Sequence, residues 1–131
     1  IVVSNDEENH IVNVELKGNE MGVLIGKRGQ TLDSLQYLTN LAVNRHTQDY
    51  VKVKLDTEDY RKRRRETLEN LAKNIAYKVK RTRRPVSLEP MNPFERRVIH
   101  STLQNDKYVA THSEGDEPHR HVVVTLKKKD N

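Results

Sequence analysis

Alternating apolar and polar residues predict strands at the start of the chain. Residues 12–16 place Val, Val and Leu at every second position, as in a strand with one buried face. The apolar residues 1–3 precede them across a polar segment at 4–9, so the two segments predict a β-hairpin. Residues 51–55 show the same alternation and predict a third strand.

Apolar residues at helical spacing fill the interval between the second and third strands. A short helix that carries Met21, Leu24 and Ile25 is predicted before Gly26, and a second helix is predicted from about Gln30. Its apolar stripe consists of Leu32, Leu35, Leu38, Leu41 and Ala42. The order up to residue 56 is therefore strand, strand, helix, helix, strand.

The remainder of the chain opens with a long helix, which the apolar spacing predicts over residues 57–82. One brief strand is expected among the prolines that follow. The sequence N-P-F-E at 92–95 is typical of a helix start, and this helix is expected to end near Asn105. Segments 107–112 and 119–127 then predict a second hairpin.

These patterns predict an α+β protein with two small domains. The first, residues 1–56, has the order β-β-α-α-β. The second, residues 57–131, has the order α-β-α-β-β and includes the long connecting helix 57–82.

Composition narrows the class of partner. Of 131 residues, 34% are hydrophobic and 33% are charged, so the cores must be thin. The net charge of +5 favours a polyanionic partner. The absence of cysteine excludes disulfides, thiolate zinc sites and a cysteine nucleophile, and it suits a reducing compartment.

No apolar run approaches the roughly 20 residues that a membrane-spanning helix needs. We therefore expect a cytoplasmic protein without direct membrane insertion. Because the chain starts at Ile1, inside an apolar run, we also expect it to be a fragment of a longer protein.

The tetrapeptide Gly26-Lys27-Arg28-Gly29 has three possible interpretations. A phosphate loop of the nucleoside triphosphatase type needs G-x-x-x-x-G-K-[ST], and neither the spacing from Gly22 nor the residue at Arg28 fits it. A plain turn between helices explains the glycines but not the two cations. A clamp for a polynucleotide backbone explains all four residues, since glycines allow phosphates to approach and a helix N-terminus follows.

With L-I-G-K-R-G-Q-T-L set between two short helices, residues 1–56 resemble a KH domain. The resemblance implies a G-x-x-G loop that clamps about four single-stranded nucleotides. The order of elements is similar to the type II, bacterial arrangement, in which one more helix would precede Ile1.

The helix after Asn92 carries a second candidate site. About 100° of rotation per residue places Phe94, Val98, Ile99, Thr102 and Leu103 on a predicted core face. Arg96, Arg97, His100 and Gln104 then lie on the opposite face, where guanidinium groups can bind phosphate and imidazole can stack or donate. An incidental pair on a solvated helix face is the alternative.

The R-x-x-x-H helix followed by a hairpin resembles the R-three-H single-stranded nucleic-acid-binding domain. A KH module followed by this module closely resembles the Jag, or SpoIIIJ-associated, family of bacterial RNA-binding proteins, and the resemblance covers essentially the whole chain. It implies a non-enzymatic, cytosolic protein, often partnered by a small KH-domain protein.

The long helix and its exit carry the densest positive charge. Between residues 61 and 84 there are eleven Lys or Arg and two acids. We expect part of this group to support RNA binding as a basic track: Arg61, Arg64, Arg65, Arg81, Arg83 and Arg84.

Single-stranded RNA, and secondarily single-stranded DNA, is therefore the predicted ligand, and no cofactor is predicted. A protein-interaction scaffold that assembles through its KH domain is the alternative. Catalysis by His100 as a general base lacks a second acid-base group on the same face. Three imidazoles at His112, His119 and His121 could hold zinc, but no carboxylate partner is evident for them and no metal is predicted.

Overall fold

The computed structural model describes residues 1–128 and confirms the α+β class with two small units. The last three residues of the predicted second domain lie outside the described residues. The first unit ends at Arg64 and the second begins at Arg65, so the division lies later than the predicted boundary at 56/57. None of the helices in residues 1–128 is long and apolar enough to cross a bilayer.

The first unit is a three-stranded sheet with the order β1-β2-β3. β1 and β2 form the predicted antiparallel hairpin, and β3 runs parallel to β2. The crossover between them contains two helices. The bounds are β1 Val2–Asp6, β2 Ile11–Glu15, α1 Gly22–Ile25, α2 Gln30–Asn44 and β3 Lys52–Asp56.

The apolar core of the first unit is small. Its fully covered cluster is Leu32, Val53 and Leu55, with half-buried neighbours around it. Leu38 and Leu41 of the predicted stripe remain 60% and 48% exposed. They stay exposed because α2 turns a row of amide side chains, not these leucines, toward β3.

That row, which we call the amide ladder, consists of Gln36, Asn40 and Asn44. Their oxygens accept hydrogen bonds from the main-chain N–H groups of Leu55 at 2.9 Å, Val53 at 3.0 Å and Val51 at 2.7 Å. The Asn44 amide nitrogen also donates to the Val51 carbonyl at 2.7 Å. The side chains therefore satisfy main-chain groups on the edge of β3 that faces away from β2.

The start of the long helix α3, Tyr60–Thr82, is fixed to the first unit by Arg61. The Arg61 guanidinium donates to the Leu55 carbonyl at 2.8 Å, to Asp33 at 2.7 Å and to Gln36 at 3.1 Å. The helix begins at residue 60 and not at 57, because Glu58 and Asp59 have φ angles of 53° and 52°, outside the helical region.

The second unit has the remaining elements and a larger core. Its sheet has the order β4-β6-β5, antiparallel throughout, and confirms the predicted second hairpin. Leu68, Ala72, Ala76 and Val79 of α3 are buried in this core, as their spacing predicted. The bounds are β4 Val86–Ser87, α4 Pro93–Leu103, β5 Val109–Glu114 and β6 His121–Leu126.

Removing one rung of the amide ladder should destabilise the first unit. Asn44→Ala leaves both the N–H and the carbonyl of Val51 without their side-chain partner, so we expect a loss of about 1–3 kcal/mol in the free energy of unfolding. Ser34→Ala, at an exposed position of the same helix, is the matched control and should change little. Urea unfolding of both variants gives the comparison. Equal stability of the two variants would show that the ladder contributes nothing.

Candidate nucleic-acid interface

The Gly26–Gly29 loop has a backbone that requires both of its glycines. Gly26 has φ 72° and ψ −172°, a region almost restricted to glycine, and Gly29 has φ 77°. A Cβ atom on Gly26 would lie 2.2 Å from the Thr31 hydroxyl oxygen, and one on Gly29 would lie 2.5 Å from the Tyr60 ring. The glycines thus have structural reasons that are independent of any ligand.

The two cations between the glycines differ in exposure. Lys27 is exposed, as predicted, whereas Arg28 is half-buried and has a left-handed backbone with φ 53° and ψ 30°. A loop that binds phosphate is expected to expose both of its cations, and this expectation is wrong for Arg28. Lys27, Arg28 and Gly29 form a single 3₁₀ turn, and α2 follows it at once.

The beginning of α2 is electropositive. Among the described residues no side chain caps this helix, whose N-cap residue is Gly29. The first turn contains one acid, Asp33, and that carboxylate is paired with Arg61 at 2.7 Å. The positive end of the helix dipole and the loop cations therefore act together, with little opposing charge from Asp33.

In the second unit, α4 begins as the sequence predicted. The Asn92 side chain accepts a hydrogen bond from the Glu95 N–H at 2.8 Å, with Pro93 at the first helical position. The predicted faces of this helix are partly wrong. Val98, Ile99 and Leu103 are buried, but Glu95 and Arg96 are buried with them and Phe94 is 53% exposed. The buried stripe is centred near Ile99, about 50° from the predicted centre.

Arg96 has a structural position. Its side chain donates to the Met91 carbonyl at 2.6 Å and forms an ion pair with Glu117 at 2.5 Å. Only 9% of the residue is exposed, which corrects the prediction that it faces solvent. The hydropathy pattern does not indicate this position, because arginine is polar by type, although the aliphatic part of its side chain packs like an apolar one.

His100 is half-buried and bonded on both sides of its ring. Its Nδ1 lies 2.7 Å from the Thr111 hydroxyl and its Nε2 lies 2.9 Å from the Ser113 hydroxyl. Both hydroxyls belong to β5, so the histidine connects α4 to the hairpin. Burial lowers the pKa of His100 below its usual value of 6.5, and the nearby Arg96, His112 and Arg120 lower it further.

Arg97 is exposed, as predicted, and so are four of the predicted track residues: Arg65, Arg81, Arg83 and Arg84. Arg61 is engaged by its three protein partners and Arg64 is half-buried. Arg65 pairs with Glu69 at 3.3 Å, and the Arg81 guanidinium lies 5.8 Å from the centre of the Tyr77 ring. The available positive charge of this group is therefore smaller than the sequence indicated.

His112, His119 and His121 of the second hairpin do not form the metal site considered above. His112 bonds the Glu114 carboxylate at 2.8 Å, whereas His121 lies 3.2 Å from the His119 carbonyl. Within residues 1–128, no group of three or more His, Cys, Asp or Glu is placed to hold a metal ion.

Arg96 and Arg97 are adjacent on α4, but replacing them should have different effects on the stability of the protein. Arg96→Ala removes a buried, charge-assisted hydrogen bond to the Met91 carbonyl, and we expect a loss of about 2 kcal/mol in the free energy of unfolding. Arg97→Ala, one residue along the same helix, should lose less than about 0.5 kcal/mol because the side chain is exposed. Thermal and urea unfolding of both variants test this. Equal losses would contradict the structural role of Arg96.

The lowered pKa of His100 predicts a pH-dependent stability. Below about pH 6.5 the unfolded chain binds a proton at this residue more readily than the folded chain does. The free energy of unfolding should therefore decrease as the pH falls through 6.5 toward the folded pKa, and this effect is absent well above 6.5.

His100→Gln removes this titration and keeps an amide that can bond the two hydroxyls. Urea unfolding at about pH 7.5 and 5.5 should show a smaller stability difference in this variant than in the wild type. His46→Gln, which makes the same substitution at an exposed position, is the matched control. An unchanged difference in His100→Gln would assign the pH dependence to other groups.

Comparison with known families agrees with the two units. The KH domain of the KhpA/KhpB kind matches residues 1–55, and the R-three-H domain matches residues 66–126. The second match contains both Arg96 and His100.

Curated relatives match this chain over nearly its whole length, which includes both domains. The RNA-binding protein KhpB of Clostridium symbiosum is 67% identical over 129 residues, which are 98% of this chain and 58% of that protein. The RNA-binding protein KhpB of Bacillus subtilis is 41% identical over 128 residues, which are 96% of this chain and 62% of that protein. The Lactiplantibacillus plantarum protein of that name is 43% identical over 123 residues, with 94% and 38% covered.

The chain thus spans little more than half of the length of the first of these relatives. Its KH domain, its R-three-H domain and their order show that the chain belongs to the Jag family, whose members include the KhpB proteins.

Proposed function

We propose that this chain binds single-stranded RNA without a catalytic step, and that the Gly26–Gly29 loop clamps the RNA backbone. The observation that carries the proposal is the geometry of this loop. The loop places the cations Lys27 and Arg28 directly before the start of α2, which no side chain of residues 1–128 caps. Phosphate groups suit such a site, because the helix dipole and the two cations both favour negative charge.

The names of the relatives support the choice of ligand. Each is called an RNA-binding protein, and a KH domain matches residues 1–55 of this chain. A clamp of this kind engages only about four nucleotides and reads single strands, so we expect modest affinity with a strong dependence on salt. Single-stranded DNA offers the same phosphates and is the secondary ligand.

The second unit contributes a further contact in this proposal, through Arg97 on the exposed face of α4. Arg96 and His100 act indirectly by holding the hairpin against that helix. Both ring nitrogens of His100 are within hydrogen-bonding distance of protein hydroxyls. This arrangement favours a binding protein over a nuclease that would use His100 as a general base.

Reversing the charge of the loop should weaken RNA binding while the fold persists. Lys27→Asp with Arg28→Asp replaces two cations, and Asp tolerates the left-handed backbone at position 28. If two phosphate contacts are lost, affinity should fall by about tenfold or more. The slope of log affinity against log salt should become shallower by about 1.4.

Fluorescence titration of labelled single-stranded RNA at several salt concentrations measures both quantities. Lys52→Glu with Lys54→Glu is the matched control, because it makes the same change in net charge at exposed positions of β3. Equal affinity of the loop variant and the wild type, with both folded, would refute the clamp.

A protein-interaction scaffold that assembles through its KH domain is the second candidate function. Tyr37, Leu38 and Leu41 leave 65%, 60% and 48% of their surface exposed on α2, and such apolar residues favour a protein partner. Sedimentation velocity of the chain, with and without RNA, separates the two functions. Self-association that RNA does not affect, combined with no RNA binding, would favour the scaffold.

A further inference from the structure

Phe94 occupies an unusual position for the one phenylalanine of the chain. It lies in the first turn of α4 and is 53% exposed, whereas the apolar residues Val98, Ile99 and Leu103 of the same helix are buried. Packing within the second unit therefore accounts for only part of its ring. An exposed aromatic face next to positive charge is a common feature of surfaces that bind single-stranded nucleic acid.

A groove between α3 and α4 begins at this ring. It has a volume of about 370 Å³, and its walls include Arg65, Glu69 and Lys73 of α3 together with Phe94, Arg97 and Ser101 of α4. Binding sites for small ligands usually measure about 300–1,000 Å³, so the groove has room for a group of nucleotide size. All of these residues belong to the second unit.

The charges in the groove favour an anion. Three of the six side chains are cations and one is an acid. Glu69 is engaged by Arg65 at 3.3 Å, whereas Lys73 and Arg97 make no ion pair among residues 1–128. A purely anionic ligand would use the cations but not the phenylalanine, and an uncharged sugar would use the ring but not the cations. A nucleotide uses both.

We propose that this groove binds one nucleotide of an RNA strand. The base stacks on Phe94, the phosphate binds Lys73 and Arg97, and the Ser101 hydroxyl is within the same groove as a further hydrogen-bonding group. Glu69 limits the affinity, because it occupies Arg65 and repels phosphate. This inference rests on the proposed RNA binding and adds a base-stacking site that is separate from the Gly26–Gly29 loop.

Tryptophan fluorescence tests the stacking directly, since the chain has no tryptophan of its own. Phe94→Trp should bind a short oligoadenylate as tightly as the wild type does, with its emission quenched by the stacked base. Tyr108→Trp is the control, because Tyr108 is 63% exposed in the same unit but does not line the groove. Quenching of Phe94→Trp alone supports the proposal. Quenching of both variants or of neither, while RNA binds, overturns it.

Affinity gives an independent measure. Phe94→Leu keeps an apolar side chain but removes the aromatic face, and it should weaken oligoadenylate binding by about tenfold, within the range for loss of one stacked base. The melting temperature should stay near the wild-type value because the ring is half exposed. Unchanged affinity of a folded Phe94→Leu protein contradicts the stacking site.

Glu69→Gln should strengthen binding, since it releases Arg65 and removes the one acid of these six groove residues. We expect a gain of about threefold. Glu66→Gln makes the same change of charge one turn earlier on α3, outside the groove, and should give a smaller gain. Equal gains would show that only net charge matters and would overturn the groove.

The experiments distinguish failure of the groove from failure of RNA binding itself. If the wild-type chain binds no single-stranded RNA, both proposals fail together. If the wild type binds and only the Lys27 and Arg28 variant is weakened, the clamp stands and the groove is wrong.

Discussion

Bonding of polar side chains to main-chain groups holds much of this protein together. Only 34% of the residues in the chain are hydrophobic, and the first unit buries a cluster of only Leu32, Val53 and Leu55. Such a cluster is too small to fix a sheet and two helices by apolar packing alone. The amide ladder and Arg61 supply the rest, because they bond the strand β3 to α2 and α3 through its backbone. Arg96 does the same for the second unit at the Met91 carbonyl.

One ion pair serves both the fold and the candidate clamp. Arg61 fixes the start of α3, and its partner Asp33 is the acid in the first turn of α2. Without Arg61 this carboxylate would oppose any phosphate at the Gly26–Gly29 loop. Arg61, which we expected to support RNA binding as part of the basic track, is instead engaged within the first unit, where it neutralises the acid in the first turn of α2.

The sequence predicted the elements well where apolar spacing decides them. The two hairpins, the α3 stripe and the cap of α4 were all predictable, since burial on one face leaves a regular pattern. The buried face of α4 was not predictable, because the polar residues Glu95 and Arg96 lie in buried positions. The amide ladder has regular helical spacing too, at residues 36, 40 and 44, but its meaning depends on the strand beside it. Site residues whose partners lie far along the chain, such as Arg96 with Glu117, leave no local signal.

The amide ladder also determines how this sheet can meet other chains. Open strand edges invite edge-to-edge pairing, which leads to aggregation or to sheets shared between molecules. At β3, a foreign strand meets amide side chains that already occupy the main-chain groups of Val51, Val53 and Leu55. The other edge of the described sheet is β1, where Val2 and Val3 are 48% and 60% exposed. An added strand is thereby directed to the β1 edge. The two edges of the first unit therefore differ in their ability to pair with another chain.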